Sequence, residues 1–289
     1  MIKLLACDVD GTLLNEQHTI DKEVVLAIQH LQESGVHFLP TSGRDYYALQ
    51  KAVEELDIQS ECICLNGAEF YGCEGELVAS IPFSQKKARE IHAYVSSHVA
   101  VEDIEYIYNK KRYLNISKRA LQKVLVDKAQ NIKALDEQRK RMFLSVLKKI
   151  MACEEDIEKI LEHPILKIEM HFSNDVLRNQ IIAGLETIDG IAITSSSSKN
   201  IELNDILATK GNMVLHVAKQ YGYCEHEIAV VGDGMNDISM LSKFEHSYAM
   251  GQASACVKKA AKRTTVDNAH GGVAAVIYEI LQINKKETL

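Results

Sequence analysis

The sequence lacks the features that mark several large classes of protein. No apolar run reaches the ~18–20 residues that a membrane-spanning helix needs. The segment MIKLLACDVD reaches acidic residues too early for a secretion signal. Acidic residues outnumber basic ones, 40 against 33, whereas proteins that bind nucleic acids in general are usually basic. We therefore expect a cytoplasmic protein that binds neither membranes nor nucleic acids.

Cysteine and histidine patterns typical of metal or redox centres are also missing. The seven cysteines include no CxxC pair, and their number is odd. The eleven histidines form no HxH or HExxH motif. We expect free buried thiols, with Cys62 and Cys64 on one face of a strand. The remaining composition is ordinary for a globular protein, and 289 residues suffice for one large domain or two smaller ones.

The two ends of the chain alternate between strand and helix patterns. The first part predicts strands at 2–7, 36–40 and 62–65, helices at 21–34 and 44–56, and a hairpin over 69–79. The last part predicts helices at 210–221 and 273–283 and strands at 228–231 and 246–250. Such alternation is typical of an α/β fold with a doubly wound, Rossmann-like parallel sheet.

The middle of the chain differs from its two ends in secondary-structure pattern and in charge. Residues 84–190 mix charged helical stretches, such as Lys118 to Lys149, with short strand candidates. They hold 19 basic and 16 acidic residues, whereas the rest of the chain holds 14 and 24. We interpret them as an inserted domain between core parts 1–83 and 191–289. This charge division suits an anionic substrate plus a cation, although two unrelated charged surfaces would give the same counts.

The segment DVDGT, directly after the first predicted strand, carries two candidate catalytic carboxylates. Alternation along the strand end puts Asp8 and Asp10 on the same side. Carboxylates this close repel each other unless a cation lies between them, and Mg²⁺ prefers oxygen ligands. With the cation bound, Asp8 could act as a nucleophile and Asp10 could carry a proton to and from a leaving oxygen. An acidic turn without function is the alternative interpretation.

Two further segments carry groups that suit a phosphate. Ser42 and the backbone around Gly43 offer a hydroxyl and amides at a helix start, and Arg44 could bind a charged substrate group. Lys210 opens a later helix and could neutralise phosphate charge. Taken singly, these residues also fit an ordinary helix cap with a surface arginine and a solvated lysine.

The segment GDGMND follows another buried strand and completes the set. Its carboxylates, Asp233 and Asp237, suit a cation, while Asn236 can reach an anion. A turn made only for backbone reasons is the alternative. All four segments follow the carboxyl ends of predicted strands, where open α/β sheets bind their ligands.

The order DVDGT, SGR, Lys-Gly and GDGMND resembles the haloacid dehalogenase superfamily, and more narrowly its Cof-type subfamily. Supporting motifs are LNGA at 65–68, AMG at 249–251 and DN…GGV at 267–273. The resemblance covers about 1–82 and 191–289. In the insert only length and position match, and there the family carries an α/β cap domain of the C2 type.

This resemblance implies a Mg²⁺-dependent phosphatase that hydrolyses phosphate monoesters through an aspartyl-phosphate. Asp8 would be the nucleophile and Asp10 the general acid and base. The metal would be held by the carboxylates of Asp8 and Asp233 and the backbone carbonyl of Asp10. Asp237 would orient Lys210 or a water on the metal.

The resemblance also implies the residues that bind the substrate, a small phosphorylated metabolite such as a sugar phosphate or a phosphorylated cofactor. The phosphate-binding groups would be Val9, Ser42, Gly43, Lys210 and Asn236. The groups facing the substrate or the cap would be Arg44, Asn66 and Gly67.

Two other functions stay open at this point. Relatives with a similar cap are phosphomutases that return the phosphoryl group to a sugar. A non-catalytic sensor of phosphorylated metabolites is the third possible function. Such a sensor would be recognised in the sequence by the loss of a catalytic residue. The chain departs from the family at Gln252, where asparagine is usual, and at Ser42, where threonine is frequent. The oligomeric state is not predicted.

Overall fold

The chain folds into two compact units. The computed structural model describes residues 1–56, 60–100, 103–130, 137–196 and 199–287. Unit 1 comprises residues 1–81 and 206–289, and unit 2 comprises residues 82–205. Among the described residues, no helix is both long and apolar enough to cross a membrane.

Unit 1 is built on an eight-stranded sheet with the order β14-β13-β12-β1-β2-β3-β4-β5. The six strands from β14 to β3 run parallel, and the β4–β5 hairpin extends one edge. All five residues of β1 are buried, as expected for a central parallel strand covered on both faces. The strands are Leu4–Asp8 (β1), His37–Thr41 (β2), Cys62–Cys64 (β3), Glu69–Tyr71 (β4), Leu77–Ser80 (β5), Ile228–Gly232 (β12), His246–Ala249 (β13) and Arg263–Thr264 (β14).

Helices α2, α8 and α10 of unit 1 begin at polar N-caps. Asp45 accepts the backbone N–H of Ala48 at the start of α2, and Thr209 accepts that of Asn212 at the start of α8. The order of strands and helices along unit 1 confirms the alternation expected from the sequence. The helices are Lys22–Glu33 (α1), Tyr46–Val53 (α2), Lys210–Gln220 (α8), Ile238–Leu241 (α9), Ala255–Ala260 (α10) and Gly272–Glu287 (α11).

Unit 2 is built on a six-stranded sheet with the order β10-β11-β9-β6-β7-β8. Its strand pairs are antiparallel except for β7 with β8. The strands are Ile104–Tyr108 (β6), Lys111–Leu114 (β7), Met151–Cys153 (β8), Lys167–His171 (β9), Ile191–Thr194 (β10) and Asn200–Asp205 (β11). The helices are Gln85–Val95 (α3), Lys118–Gln130 (α4), Glu137–Ile150 (α5), Ile157–Leu161 (α6) and Asp175–Leu185 (α7).

The division into units differs from the expected boundaries. The first break lies at Ile81/Pro82, two residues before the expected one, and the second lies at Asp205/Ile206 instead of 190/191. The larger shift arises because β10 pairs with β11 and β11 pairs with β9, so both strands belong to the sheet of unit 2. Short strand patterns do not reveal which sheet a strand will join.

Two local expectations change as well. The helical stretch from Lys118 to Lys149 forms two helices, and the residues 131–136 between them lie outside the described part. Cys62 and Cys64 do share a strand face, with 3.9 Å between their sulfur atoms. The expectation that the thiols are buried is wrong for Cys153, which is half-buried in β8, and for three cysteines that are exposed. These are Cys73, Cys224 and Cys256.

Candidate active site

The carboxyl ends of β1, β2 and β12 bring the predicted segments to one edge of the sheet. Asp8 ends β1 beside Thr41, the last residue of β2. Gly232, which ends β12 on the other side of β1, leads into the loop with Asp233, Asn236 and Asp237. Residues far apart in sequence meet because neighbouring parallel strands end at the same edge.

Lys210 links two of these loops through its side chain, which is fully buried. Its Nζ atom donates to Asp8 Oδ1 at 2.5 Å and to Asp237 Oδ1 at 2.6 Å. The other oxygen of Asp237 accepts the backbone N–H groups of Asp233, at 3.0 Å, and Gly234, at 2.8 Å. Both oxygens of Asp237 are therefore engaged, and this carboxylate orients the ammonium group of Lys210.

The environment at this edge disfavours the ionised forms of Asp8 and Asp233. Burial raises the pKa of Asp8 well above its usual value, Asp237 raises it further, and Lys210 offsets only part of the shift. Burial also raises the pKa of Asp233, against a hydrogen bond of 2.8 Å from Thr12. Burial alone would lower the pKa of Lys210, but Asp237 and Asp8 outweigh it and raise the pKa.

Asp8, Asp233 and Asp237, here called the Asp cluster, could hold a metal ion. Each offers a carboxylate oxygen, and these oxygens lie within 4.8 Å of one another. Asp8 and Asp233 are the better ligands, because both oxygens of Asp237 already accept hydrogen bonds. Gly11 allows this packing, since a Cβ atom there would lie 2.5 Å from Asp233 Oδ2.

Asp10 does not join the Asp cluster through its side chain. Its two oxygens accept from Arg44, at 2.8 Å from Nε and 2.5 Å from Nη2. Arg44 also donates to the carbonyl of Ala48 in α2, at 3.3 Å. The sequence predicted that Arg44 faces the substrate or cap, whereas the structure pairs it with the predicted general acid and base.

The predicted phosphate-binding residues lie in the loops around Asp8. The hydroxyl oxygen of Ser42, which is 1% exposed, accepts the backbone N–H of Arg44 at 3.1 Å, so its proton can go to another acceptor. Asn236 Nδ2 donates to Asn66 Oδ1 at 3.0 Å. The backbones of Val9 and Gly43 follow the ends of β1 and β2.

Asn66 and Gly67 do not present open surface. Asn66 is 3% exposed, and Gly67 packs so closely against the start of α8 that a Cβ atom would lie 2.3 Å from the carbonyl oxygen of Thr209. Both residues lie within unit 1, against the other loops of the site.

The sequence reading missed the roles of Thr12 and Gln252. Thr12, the last residue of DVDGT, orients Asp233, and its place in that motif was the available signal. In the sequence, Gln252 stands out only as a departure from the family. Its Nε2 atom donates to the carbonyl of Gly11 at 2.5 Å, and its Oε1 atom accepts the backbone N–H of Asn268 at 3.3 Å.

Unit 2 buries a second row of carboxylates, here called the Glu cluster: Glu105, Glu169 and Glu202. They lie side by side on β6, β9 and β11. Oxygens of Glu105 and Glu169 could hold a metal together with His171. However, cationic side chains already contact all three glutamates at 2.7–2.9 Å, namely Arg112, Lys128 and Lys167.

The pKa values of Glu105 and Glu169 shift in the opposite direction from those of Asp8 and Asp233. Burial alone would raise the pKa of Glu105, but Arg112 and Lys128 outweigh it and lower the pKa. The pKa of Glu169 is also lowered, because Lys167 and Arg112 outweigh burial. The Glu cluster is therefore a neutralised structural network.

Comparisons with known proteins identify the family of the chain. Residues 5–277 match the family model of the haloacid dehalogenase-like hydrolases. The chain is 26% identical to 5-amino-6-(5-phospho-D-ribitylamino)uracil phosphatase YcsE of Bacillus subtilis, over 96% of this chain and 94% of that protein. It is 27% identical to the phosphatase YbjI of Escherichia coli, named for the same substrate, over 97% of both chains.

A solved structure shows the same fold. A haloacid dehalogenase-like hydrolase from B. subtilis superposes with a TM-score of 0.77 at 27% identity, over 96% of this chain and 99% of that one. The chain therefore belongs to the haloacid dehalogenase-like hydrolase family and, within it, to the Cof-type phosphatases.

Proposed function

We propose that the protein is a Mg²⁺-dependent phosphatase that hydrolyses phosphate monoesters of small metabolites through an aspartyl-phosphate on Asp8. The observation that carries this proposal is the buried Asp8 carboxylate, which lies in the Asp cluster and accepts a hydrogen bond from Lys210. A nucleophilic carboxylate, a cation site and an ammonium group supply what phosphoryl transfer requires.

The Asp cluster fits Mg²⁺. Its donors are all carboxylate oxygens, which this hard cation prefers. Burial raises the pKa of Asp8 and Asp233, and a bound cation would favour their ionised forms. Asp8 and Asp233 would hold the ion with the backbone carbonyl of Asp10, the third ligand that the resemblance implies. Bound there, Mg²⁺ would neutralise charge on the transferring phosphoryl group.

The reaction then runs in two balanced halves. An oxygen of Asp8 forms a bond to phosphorus while the bond from phosphorus to the leaving oxygen breaks, and Asp10 gives that oxygen its proton. Next, Asp10 takes a proton from water, and the water oxygen bonds to phosphorus while the bond between phosphorus and the Asp8 oxygen breaks. This step releases phosphate and the Asp8 carboxylate. The Asp10 side chain is 47% exposed and that of Asp8 is 6% exposed, which suits a proton carrier and a nucleophile respectively.

The remaining residues would bind and position the phosphoryl group. Ser42, Lys210 and Asn236 would contact its oxygens, together with the backbone N–H groups of Val9 and Gly43. Lys210 is held between two carboxylates and stays protonated, so no side-chain rearrangement is needed before the reaction. Asp237 acts through Lys210, and Arg44 acts through Asp10.

The substrate class follows from the family and its relatives. Two full-length relatives are named as phosphatases of a phosphorylated ribitylaminouracil. We propose sugar phosphates and phosphorylated cofactors, or their precursors, as the substrates of this chain.

The test is phosphate release from a panel of phosphorylated metabolites, including 5-amino-6-(5-phospho-D-ribitylamino)uracil, sugar phosphates, pyridoxal phosphate and p-nitrophenyl phosphate. Each is assayed with Mg²⁺ and with EDTA. Release that requires Mg²⁺ supports the proposal. Phosphoryl transfer that a sugar bisphosphate stimulates, with little phosphate release, would show a mutase instead. If the folded protein released no phosphate from any substrate of the panel, the proposed function would be contradicted.

A further inference from the structure

We propose that Asn66 is a positioning residue: its side chain orients the carboxamide of Asn236 toward the phosphoryl group, and its turn joins the loops that bind this group. The inference rests on the proposed function and assigns Asn66 a role different from the substrate-facing one expected from sequence. The residues involved are Leu65, Asn66 and Gly67, here called the Asn66 turn.

The backbone of the Asn66 turn adopts an unusual conformation. Leu65, Asn66 and Gly67 all have positive φ angles, of 50°, 61° and 102°. Residues other than glycine rarely adopt this region, although asparagine does so more readily than most. Such a conformation persists where the surrounding structure demands it, and it is common at active sites.

The contacts of the Asn66 turn explain why its backbone keeps this unusual conformation. The N–H of Leu65 donates to the carbonyl of Arg44 at 2.9 Å, and the N–H of Asn66 donates to the carbonyl of Ser42 at 3.0 Å. Gly67 lies against the backbone of Thr209 and Lys210. The turn therefore holds the loop after β2 and the start of α8 in a common position.

The side chain of Asn66 reaches the loop after β12. Its Oδ1 atom accepts from Asn236 Nδ2 at 3.0 Å, and the residue is 3% exposed. An amide nitrogen carries two hydrogens, so Asn236 can give one to Asn66 and the other to a phosphoryl oxygen. Without this acceptor, the carboxamide of Asn236 could rotate and present its oxygen, which repels an anion.

A double-mutant cycle tests this inference. The variants are Asn66→Gly, Asn236→Ala and the combination of both. Glycine at position 66 removes the amide but adopts the positive φ without strain, so folding is preserved. Asn109→Gly is the matched control, since Asn109 also has a positive φ, of 50°, and is exposed in the β6–β7 turn of unit 2.

Three quantities are measured for each variant. They are kcat and KM for p-nitrophenyl phosphate, the affinity for inorganic phosphate with Mg²⁺ by calorimetry, and the melting temperature. We expect Asn66→Gly to lower kcat/KM by about 10–100-fold, as for other residues that orient a ligand-binding group. We expect Asn236→Ala to lower it by about 10²–10³-fold, as for loss of one donor to developing charge.

The expected signature is non-additivity. In the Asn236→Ala background, Asn66→Gly should cause little further loss, because the group that it orients is gone. Phosphate affinity should fall in parallel, while the melting temperature stays near that of the wild type and Asn109→Gly changes none of the three. Equal losses from Asn66→Gly in both backgrounds, or no loss at all, would overturn the inference and leave the phosphatase proposal intact. A wild type that neither hydrolyses nor binds phosphate would overturn both.

Discussion

The Asp cluster of unit 1 and the Glu cluster of unit 2 both bury carboxylates, yet their electrostatic states are opposite. Burial alone would raise the pKa of Asp8 and Asp233 in the first cluster and of Glu105 and Glu169 in the second. In the Glu cluster three cationic side chains outweigh burial, and the pKa values of Glu105 and Glu169 fall. In the Asp cluster Lys210 is the cationic partner that the described residues provide, and the pKa values of Asp8 and Asp233 rise.

This difference distinguishes the Glu cluster, a structural network, from the Asp cluster, a candidate metal site. Buried charges are tolerated when partners inside the protein satisfy them. In the proposed mechanism, a cation would favour the ionised form of the Asp cluster and would neutralise charge on the transferring phosphoryl group. The contrast leads to four predictions, which begin with the largest effect.

Replacing Asp8 by Asn should reduce kcat by about 10⁴–10⁶-fold, because the nucleophile is lost and residual catalysis comes from binding alone. Initial-rate phosphate release on the best panel substrate measures this effect. The exposed Asp189→Asn of unit 2 is the matched control and should keep the wild-type rate. Full activity of Asp8→Asn would remove Asp8 as the nucleophile.

Replacing Glu105 by Gln should lower the free energy of unfolding by about 3 kcal/mol, because Lys128 and Arg112 lose a buried partner. Urea denaturation at neutral pH measures it. Glu158→Gln, which breaks the exposed pair with Arg89, should cost less than about 1 kcal/mol. Equal costs for the two variants would contradict the structural role of the Glu cluster.

Saturating Mg²⁺ should stabilise the wild type, by about 2.7 kcal/mol at a concentration of 100 Kd. The shift in melting temperature between Mg²⁺ and EDTA measures it. Asp233→Asn should abolish the shift, and in EDTA this variant should be at least as stable as the wild type, since a repelling charge is removed. Glu105→Gln should keep the Mg²⁺ shift. A shift that survives in Asp233→Asn would place the ion elsewhere.

Lowering the pH should reduce the contribution of the Glu cluster to the free energy of unfolding. The loss should be about 1 kcal/mol per pH unit for each group that titrates. The folded state lowers the pKa of Glu105 and Glu169 below the ordinary 4.5. Their stabilisation is therefore complete above that value and declines as the pH falls toward the folded-state pKa values. The difference in unfolding free energy between wild type and Glu105→Gln should shrink below about pH 4.5. A constant difference would show that ionisation of Glu105 does not matter.

Local patterns predicted most of unit 1. Apolar runs ending in Asp8 and Gly232 are short and bounded by glycine and carboxylates, so strand ends and loops could be recognised there. Unit 2 was harder to predict, because the sequence predicted no strands at Ile191–Thr194 and Asn200–Asp205, which form β10 and β11. Pairing with each other and with β9 places these strands in the sheet of unit 2, and pairing is a long-range interaction.

At the candidate site, too, local sequence patterns do not predict long-range contacts. The residue types and their order indicated carboxylates for a cation and hydroxyl, amide and ammonium groups for a phosphate. The partners of Arg44 and Asn66 could not be predicted, because each lies across a gap in sequence that only folding closes.

The sequence by itself determined the chemistry: which carboxylates, amides and cations stand directly after the strands of a parallel sheet. The tertiary structure decided which of these groups are in contact. Lys210 donates hydrogen bonds to two carboxylates, and Arg44 donates to Asp10. The physical reason is that burial and Coulomb interactions depend on distance in space. Residue type and spacing along the chain do not specify that distance.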